Sequence, residues 1–298
     1  MDVIEYTDAM CSWAWGSEPK LRLLRWRFDD QIDSWRRVMG HLVEDEYMPD
    51  RDRVADAPKL EEYWKVVCDQ TDMPRPAPLH RSTAGSRASG LTVKAAQLQG
   101  EAVVDQVLRR MREATFVDGQ PPDTLRRAIE ACANIDGLHD EALAAAAHSD
   151  DVADAYQRDL DETRTPNDDV LRLEGERPGI GKAREAKDGR MRFVFPTVVV
   201  RSTDHRSSPL EVTVPGWMPY EDYERALFAT GARPTDRTRS RPTPAEAFER
   251  WPSLADHELR FLCGADATPP PHVTTHTWAG GTIHTVGQAT RPGRAGAR

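Results

Sequence analysis

The chain has 298 residues, 39% of them hydrophobic and 30% charged, with a formal net charge of −9. That length holds one large domain or two ordinary ones, and the acidic balance speaks against a nucleic-acid partner, which normally meets a basic face. No stretch approaches the roughly 18 consecutive apolar residues of a membrane span. The chain opens on a strand, without a basic and then apolar leader, so the expectation is a cytoplasmic protein with no membrane or nucleic-acid partner. Arginine far outnumbers lysine, 34 to 6, which reads as a genomic composition bias and not as a functional arginine cluster.

In chain order, residues 2–7 read as a first strand, with Val3, Glu5 and Thr7 on one face and Ile4 and Tyr6 on the other. Residues 11–28 carry apolar side chains at helical spacing and read as the first helix. Residues 34–39 read as a second strand, which completes a βαβ unit. From 58 to 163 the pattern is helical, and Val103, Val104, Val107, Leu108 and Met111 make its clearest apolar stripe. Gly119-Gln120-Pro121-Pro122 interrupts it. Further helices run to Cys132, over 139–148, and over 151–163 behind Ser149-Asp150.

Residues 164–190, rich in Gly, Pro and charge, read as a disordered loop or partial helix. Gly175 to Lys182 imitates a phosphate loop, but the spacing is one residue too long and Ala183 stands where Ser or Thr is needed. Residues 191–200 read as a strand, yet Pro196 has no N–H to give a central ladder. A cis peptide beside the strand removes that contradiction. Residues 210–214 give the next strand, and a closing helix runs from Pro219 to about Thr230. Residues 231–240 have the composition of a linker. Helices near 243–251 and 253–263 and a Gly280-Gly281 turn follow, and residues from Thr290 read as a disordered tail. His272 and His276 follow three prolines, so an extended chain holds them too far apart to share a metal. No metal site is expected.

Four cysteines in this length do not make a disulfide scaffold. Cys68, Cys132 and Cys263 each lie in an apolar helical stripe and read as small buried hydrophobes. Cys11 differs, because it sits in Asp8-Ala9-Met10-Cys11-Ser12-Trp13-Ala14-Trp15-Gly16, where a strand turns into a helix. Unsatisfied N–H groups and the positive helix end favour a thiolate there. The expectation is a thiol whose pKa falls below the free value of about 8.5.

That stretch resembles the active-site signature of the DsbA-like branch of the thioredoxin superfamily, FrnE-like proteins in particular. Their pattern is Asp-Pro-x-Cys-x-Trp-Cys-x-Gly, and here Ala14 stands at the second cysteine and Ala9 at the proline. Residues 91–100, Leu-Thr-Val-Lys-Ala-Ala-Gln-Leu-Gln-Gly, are similar to a helix inside that fold. Phe195-Pro196-Thr197-Val198-Val199-Val200 resembles its cis-proline strand. The resemblance spans about residues 1–230 and implies an α/β, thioredoxin-like fold with a large all-helical insertion and a small C-terminal extension. Residues 1–57 and 191–230 would form the two thioredoxin-like parts, and 58–190 the helical insertion and loop that roofs the active site. Residues 241–290 are similar to a reduced winged-helix extension of some relatives. The resemblance also implies that Glu5, six residues before Cys11, assists proton transfer as a buried acid. Pro196 would face Cys11 and leave the Phe195 backbone free for a substrate.

Ala14 cannot resolve a mixed disulfide, so three readings remain open. The first, and favoured, is an enzyme in which the Cys11 thiolate adds to a small conjugated substrate and is eliminated after rotation, a cis–trans isomerisation. Ser12, Trp13, Ala14, Trp15, Phe195 and Pro196 would line its site, and an aromatic wall suits a planar molecule. No cofactor is required. The second is a monothiol reductase resolved by a low-molecular-weight thiol. The third is an adapter in which the redox role is lost.

Overall fold

The computed structural model describes residues 1–44, 50–76, 78–174, 181–203 and 210–287. The first half runs β1 (Asp2–Thr7), α1 (Ser12–Trp15), α2 (Glu18–Arg27) and β2 (Ser34–Met39), then the helices α3 (Arg53–Thr71), α4 (Arg87–Gln97) and α5 (Glu101–Phe116). Next come α6 (Leu125–Ala131), α7 (Asp140–Ala147), α8 (Asp150–Thr163), α9 (Asp168–Leu171) and the short strands β3 (Arg184–Glu185) and β4 (Met191–Arg192). The chain returns as β5 (Thr197–Arg201), β6 (Glu211–Pro215), α10 (Tyr220–Ala229) and α11 (Asp236–Arg239). It ends with α12 (Pro244–Arg250), β7 (Ser253–Ala255), α13 (Asp256–Cys263), β8 (Val273–Trp278) and β9 (Gly281–Val286).

The main sheet has the order β2-β1-β5-β6. β1 runs parallel to β2 and antiparallel to β5, with Ile4 opposite Val199 and Glu5 opposite Val198. A βαβ unit, a helical excursion and a returning ββα unit on one sheet make a thioredoxin-like α/β fold with a helical insertion. The predicted alternation along β1 is observed. Val3 joins Val198, Val200 and Val214 against α2 and α10, while Ile4 and Tyr6 join Val38 and Val199 on the opposite face. The insertion has its own core, in which the stripe from Val103 to Met111 packs with Leu143, Tyr156 and Leu160. No helix among the described residues is long and apolar enough to cross a membrane.

Several sequence boundaries shift. The helix expected over 11–28 breaks after Trp15, because Pro19 has no N–H for the Trp15 carbonyl and sits in the first turn of α2. Gly16 fills that break, where a Cβ would run into Thr71 at the end of α3. α3 starts before residue 58 and carries Pro58 within its second turn. The strand expected over 191–200 is divided: β4 pairs with β3, the Phe195–Pro196 peptide is cis, and β5 begins after it. Of the disordered loop or partial helix expected over 164–190, the partial helix is found as α9, and Val170, Ala183 and Ala186 are buried; residues 175–180 lie outside the described residues. The segment over 231–240 is no free linker either, since α11 docks on α2 and the Arg237 guanidinium lies 3.8 Å from the Trp26 ring centre. In the C-terminal extension, α12 and α13 pack with a three-stranded antiparallel sheet, β7-β9-β8, and the Gly280-Gly281 turn joins β8 to β9. The tail expected from Thr290 lies outside the described residues.

Candidate active site around Cys11

β1 delivers the chain to a turn that Asp8 holds from within. Its carboxylate accepts from the Met10 N–H at 2.7 Å, the Leu42 N–H at 2.8 Å and the Ser86 hydroxyl at 2.6 Å. Cys11 follows as the N-cap of α1, with extended φ and ψ of −85° and 113°. Its Sγ accepts the Ala14 N–H at 3.4 Å and donates to the Phe195 carbonyl at 3.2 Å. The residue before the cis-proline thus faces the cysteine, as the resemblance implied, but its carbonyl is occupied by the thiol itself.

The expected acidic thiol is not found. Cys11 is 3% exposed and packed with Val170, Ala183, Phe193 and Phe195, with Trp13 and Leu42 at the edge. Burial pushes its thiol up to about 11, with the Asp8 carboxylate adding to the rise; the Ala14 and Trp13 N–H groups and Arg112 pull the other way and lose. α1 is a single turn, so it offers little more than those amides against the cost of a buried anion.

The remaining predicted residues divide. Trp13 is half-buried at the rim, where its indole N–H donates to the Tyr63 hydroxyl at 3.0 Å and its ring meets Trp217 at 5.7 Å. Ser12 and Ala14 are buried beside the thiol, and Phe195 and Pro196 are buried across from it. Gly40 makes room for the Phe195 ring, which a Cβ there would strike. Trp15 does not belong to the site. It is fully buried between Phe116 and the Arg109 guanidinium, and its N–H donates to the Pro74 carbonyl at 2.7 Å.

Glu5 also leaves the site. It lies on the Val3–Thr7 face of β1, where its carboxylate accepts from the Trp35 indole N–H at 3.0 Å, with Arg37 at 3.8 Å and Arg112 at 3.6 Å. It is not among the leading causes of the Cys11 shift. Glu5→Gln should therefore move the Cys11 titration by less than about half a pH unit, measured by alkylation rate against pH. A larger shift would restore Glu5 to the proton path.

The sequence reading passed over Tyr63, Trp217 and Arg192. Tyr63 is 50% exposed yet lies in the stripe with Leu60 and Trp64 that reads as core. Burial, with Cys11 nearby, raises its phenol. Trp217 donates to the Gly16 carbonyl at 3.1 Å and carries Lys20 over its ring at 3.5 Å. Arg192 stands over the Phe195 ring at 5.2 Å and is the cation on the β4 side of Cys11. Their sequence neighbourhoods carry no signal for this grouping. Of the cysteines expected to be core, Cys68 and Cys132 are buried and Cys263 is half-buried, and all four are free thiols. Among the described residues, no cluster of three or more His, Cys, Asp or Glu could hold a metal ion.

Residues 5–166 match a family model described as thioredoxin. The ClpXP adapter protein SpxH of Shouchella clausii (strain KSM-K16) is 26% identical over 172 residues, which are 57% of this chain. The chain spans 56% of that relative's length. Among solved structures, a Nitrosomonas europaea protein assigned as a protein disulfide isomerase is 15% identical with a TM-score of 0.55, covering 76% of this chain and 96% of its own. A Streptomyces coelicolor protein assigned as a DsbA oxidoreductase is 16% identical with a TM-score of 0.52, covering 79% and 92%. At these identities the structural likeness speaks for the fold, in agreement with the strand order and the cis-proline.

Proposed function

The chain belongs to the thioredoxin family, and from that membership we propose that it works by binding a protein partner, as an adapter, and not by passing disulfides. The observation that carries this reading is the state of Cys11. It is one covered thiol, held protonated at neutral pH, with Ala14 where exchange needs a resolving thiol. An adapter needs neither a thiolate nor a second cysteine. The similarity to a ClpXP adapter over 172 residues supports the same reading. The test has two arms. With a small thiol present, the protein should reduce insulin disulfides no faster than Cys11→Ser, and turnover lost in that variant would sink the proposal. Immobilised protein should bind the ClpX unfoldase, and no binding would remove the delivery role.

A second reading, single-thiolate chemistry on a small conjugated molecule, has one observation in its favour. Trp13, Tyr63 and Trp217 form an aromatic rim beside a sulfur that already accepts the Ala14 N–H. Burial is the leading cause of the raised thiol, so withdrawal of Val170 and Ala183 would lower it. In that reading the thiolate adds to the alkene, the new single bond rotates, and elimination returns the thiolate with no net electron change. Anaerobic, thiol-free turnover of a conjugated alkene that disappears in Cys11→Ser would favour it over the adapter. A strict need for stoichiometric small thiol would point to a monothiol reductase.

A further inference from the structure

The face of the sheet away from Cys11 holds a cavity of about 490 Å³, bounded by β1, β2 and α2, by α5, by the turn after α6, and by the C-terminal extension. That volume lies within the usual range for small-molecule pockets, about 300–1,000 Å³. Seven arginines and five carboxylates line it. The deep layer is balanced. Arg22, Arg37, Arg109 and Arg112 are buried, and so are Glu5, Glu18, Glu113 and Glu258, to which they are paired. Those carboxylates each lie within 4 Å of two or more guanidiniums, so their charge is already met.

The layer nearer solvent is not balanced. Arg25 and Arg110 each place one guanidinium nitrogen on a carboxylate that a second arginine already holds, Asp105 and Glu113. Among the described residues Arg250 is paired with Asp29 alone, which is half exposed and does not line the cavity. Among the described residues, their other N–H groups have no protein acceptor. Against these three cations stand the shared Asp105 and the exposed Asp136. Burial, with Arg37 and Arg250 opposing the pull of Asp105, holds Arg25 below the ordinary arginine range. Trp35, Trp251, Leu21, Leu108 and Ile135 supply an apolar wall beside the cations.

We propose that this cavity binds a small organic anion, with a carboxylate or phosphate head on Arg25, Arg110 and Arg250 and an apolar or aromatic body against Trp35 and Trp251. Unsatisfied guanidinium N–H groups beside an aromatic wall ask for such a ligand, because charge-assisted bonds to an anion are the strongest they can make. Trp251, Pro252 and Ser253 close one side, which gives the C-terminal extension a role in building the site. The site is separate from Cys11 and does not depend on what that thiol does.

Four probes test this in the full chain by thermal shift and calorimetry, against sodium chloride at matched ionic strength. They are benzoate, phenyl phosphate, inorganic phosphate and benzyl alcohol. Benzoate or phenyl phosphate should stabilise the protein saturably, and which of the two binds tighter identifies the head group. Inorganic phosphate should bind more weakly and benzyl alcohol not measurably. Arg250→Gln, which leaves every deep ion pair in place, and Arg110→Gln, which leaves Glu113 its pair with Arg109, should each weaken binding about tenfold. Arg126→Gln, which removes an exposed pair on α6, should bind as the parent does. Stabilisation no greater than chloride gives, equal stabilisation by benzyl alcohol, or equal binding by both cavity variants would overturn the proposal. So would an equal loss in Arg126→Gln.

Discussion

In the folded protein, Cys11 should react with iodoacetamide about a hundred times more slowly at pH 7.5 than a free cysteine, because each unit of raised pKa removes tenfold of the thiolate. The thiol stands near 11, two units or more above a free cysteine, and the hydrophobic cover slows reagent entry further. Cys68 and Cys132 are pushed up to about 12 by burial, and Cys263 to about 11. A native thiol titration should therefore find no fast cysteine, with half-buried Cys263 the first to respond, and four in denaturant. The alkylation rate of Cys11 should keep rising with pH well past 9. The folded state favours the neutral thiol, so the stability linked to Cys11 is present below pH 9 and is lost between about 9 and 11. One thiol reacting at the free rate at pH 7.5, and missing in Cys11→Ser, would show a site that opens readily and would return the thiolate chemistry to first place.

The largest loss of stability should follow Arg109→Met, at about 3–5 kcal/mol, the usual cost of stripping one partner from a buried ion cluster. Arg109 is the hub between α5 and the C-terminal extension. It donates to Glu113 at 2.8 Å and to Glu258 at 3.1 and 2.8 Å, reaches the Ser253 hydroxyl, and lies over the Trp15 ring at 4.4 Å. Glu258 also accepts the Ala255 N–H, so it holds the entry to α13 in place. Without the guanidinium, two buried carboxylates lose a principal partner. Glu258→Gln added to Arg109→Met should recover part of the loss, since it neutralises one stranded charge. Chemical denaturation of the two variants measures both effects, and a loss below about 1 kcal/mol in the single variant would mean that the cluster does not hold the extension. Acid should act on the same cluster. The arginines hold the Glu113 carboxyl down at about 2 from 4.5, so its contribution is present above pH 4.5 and lost as the pH falls toward 2.

Much of the scaffold was legible in the sequence, because strand alternation and helical stripes are local. The alternation from Val3 to Thr7 fixed which side chains share a face of β1, and the stripe from Val103 to Met111 marked the core of the insertion. A proline inside an apolar run demanded a special peptide, and Phe195–Pro196 is cis. The position of Cys11 at a strand-to-helix turn was also readable, as was the absence of a partner at Ala14. What decided the character of the site was not local. Val170, Ala183, Phe193 and Phe195, more than 150 residues away in the chain, join Cys11 in one apolar cluster that leaves it 3% exposed, and no spacing near the motif reports that. The amides at the start of α1 favour the thiolate, as the motif suggests, but the sign of the shift belongs to desolvation, which only packing determines. Glu5 has the offset of a catalytic acid, yet the arginines of β2 and α5 face it across the sheet. Seven of the 34 arginines, an excess that looked compositional, line one charged cavity. A sequence specifies which groups a turn presents; the tertiary structure decides whether water, an opposite charge or an apolar wall meets them, and that contact sets their chemistry.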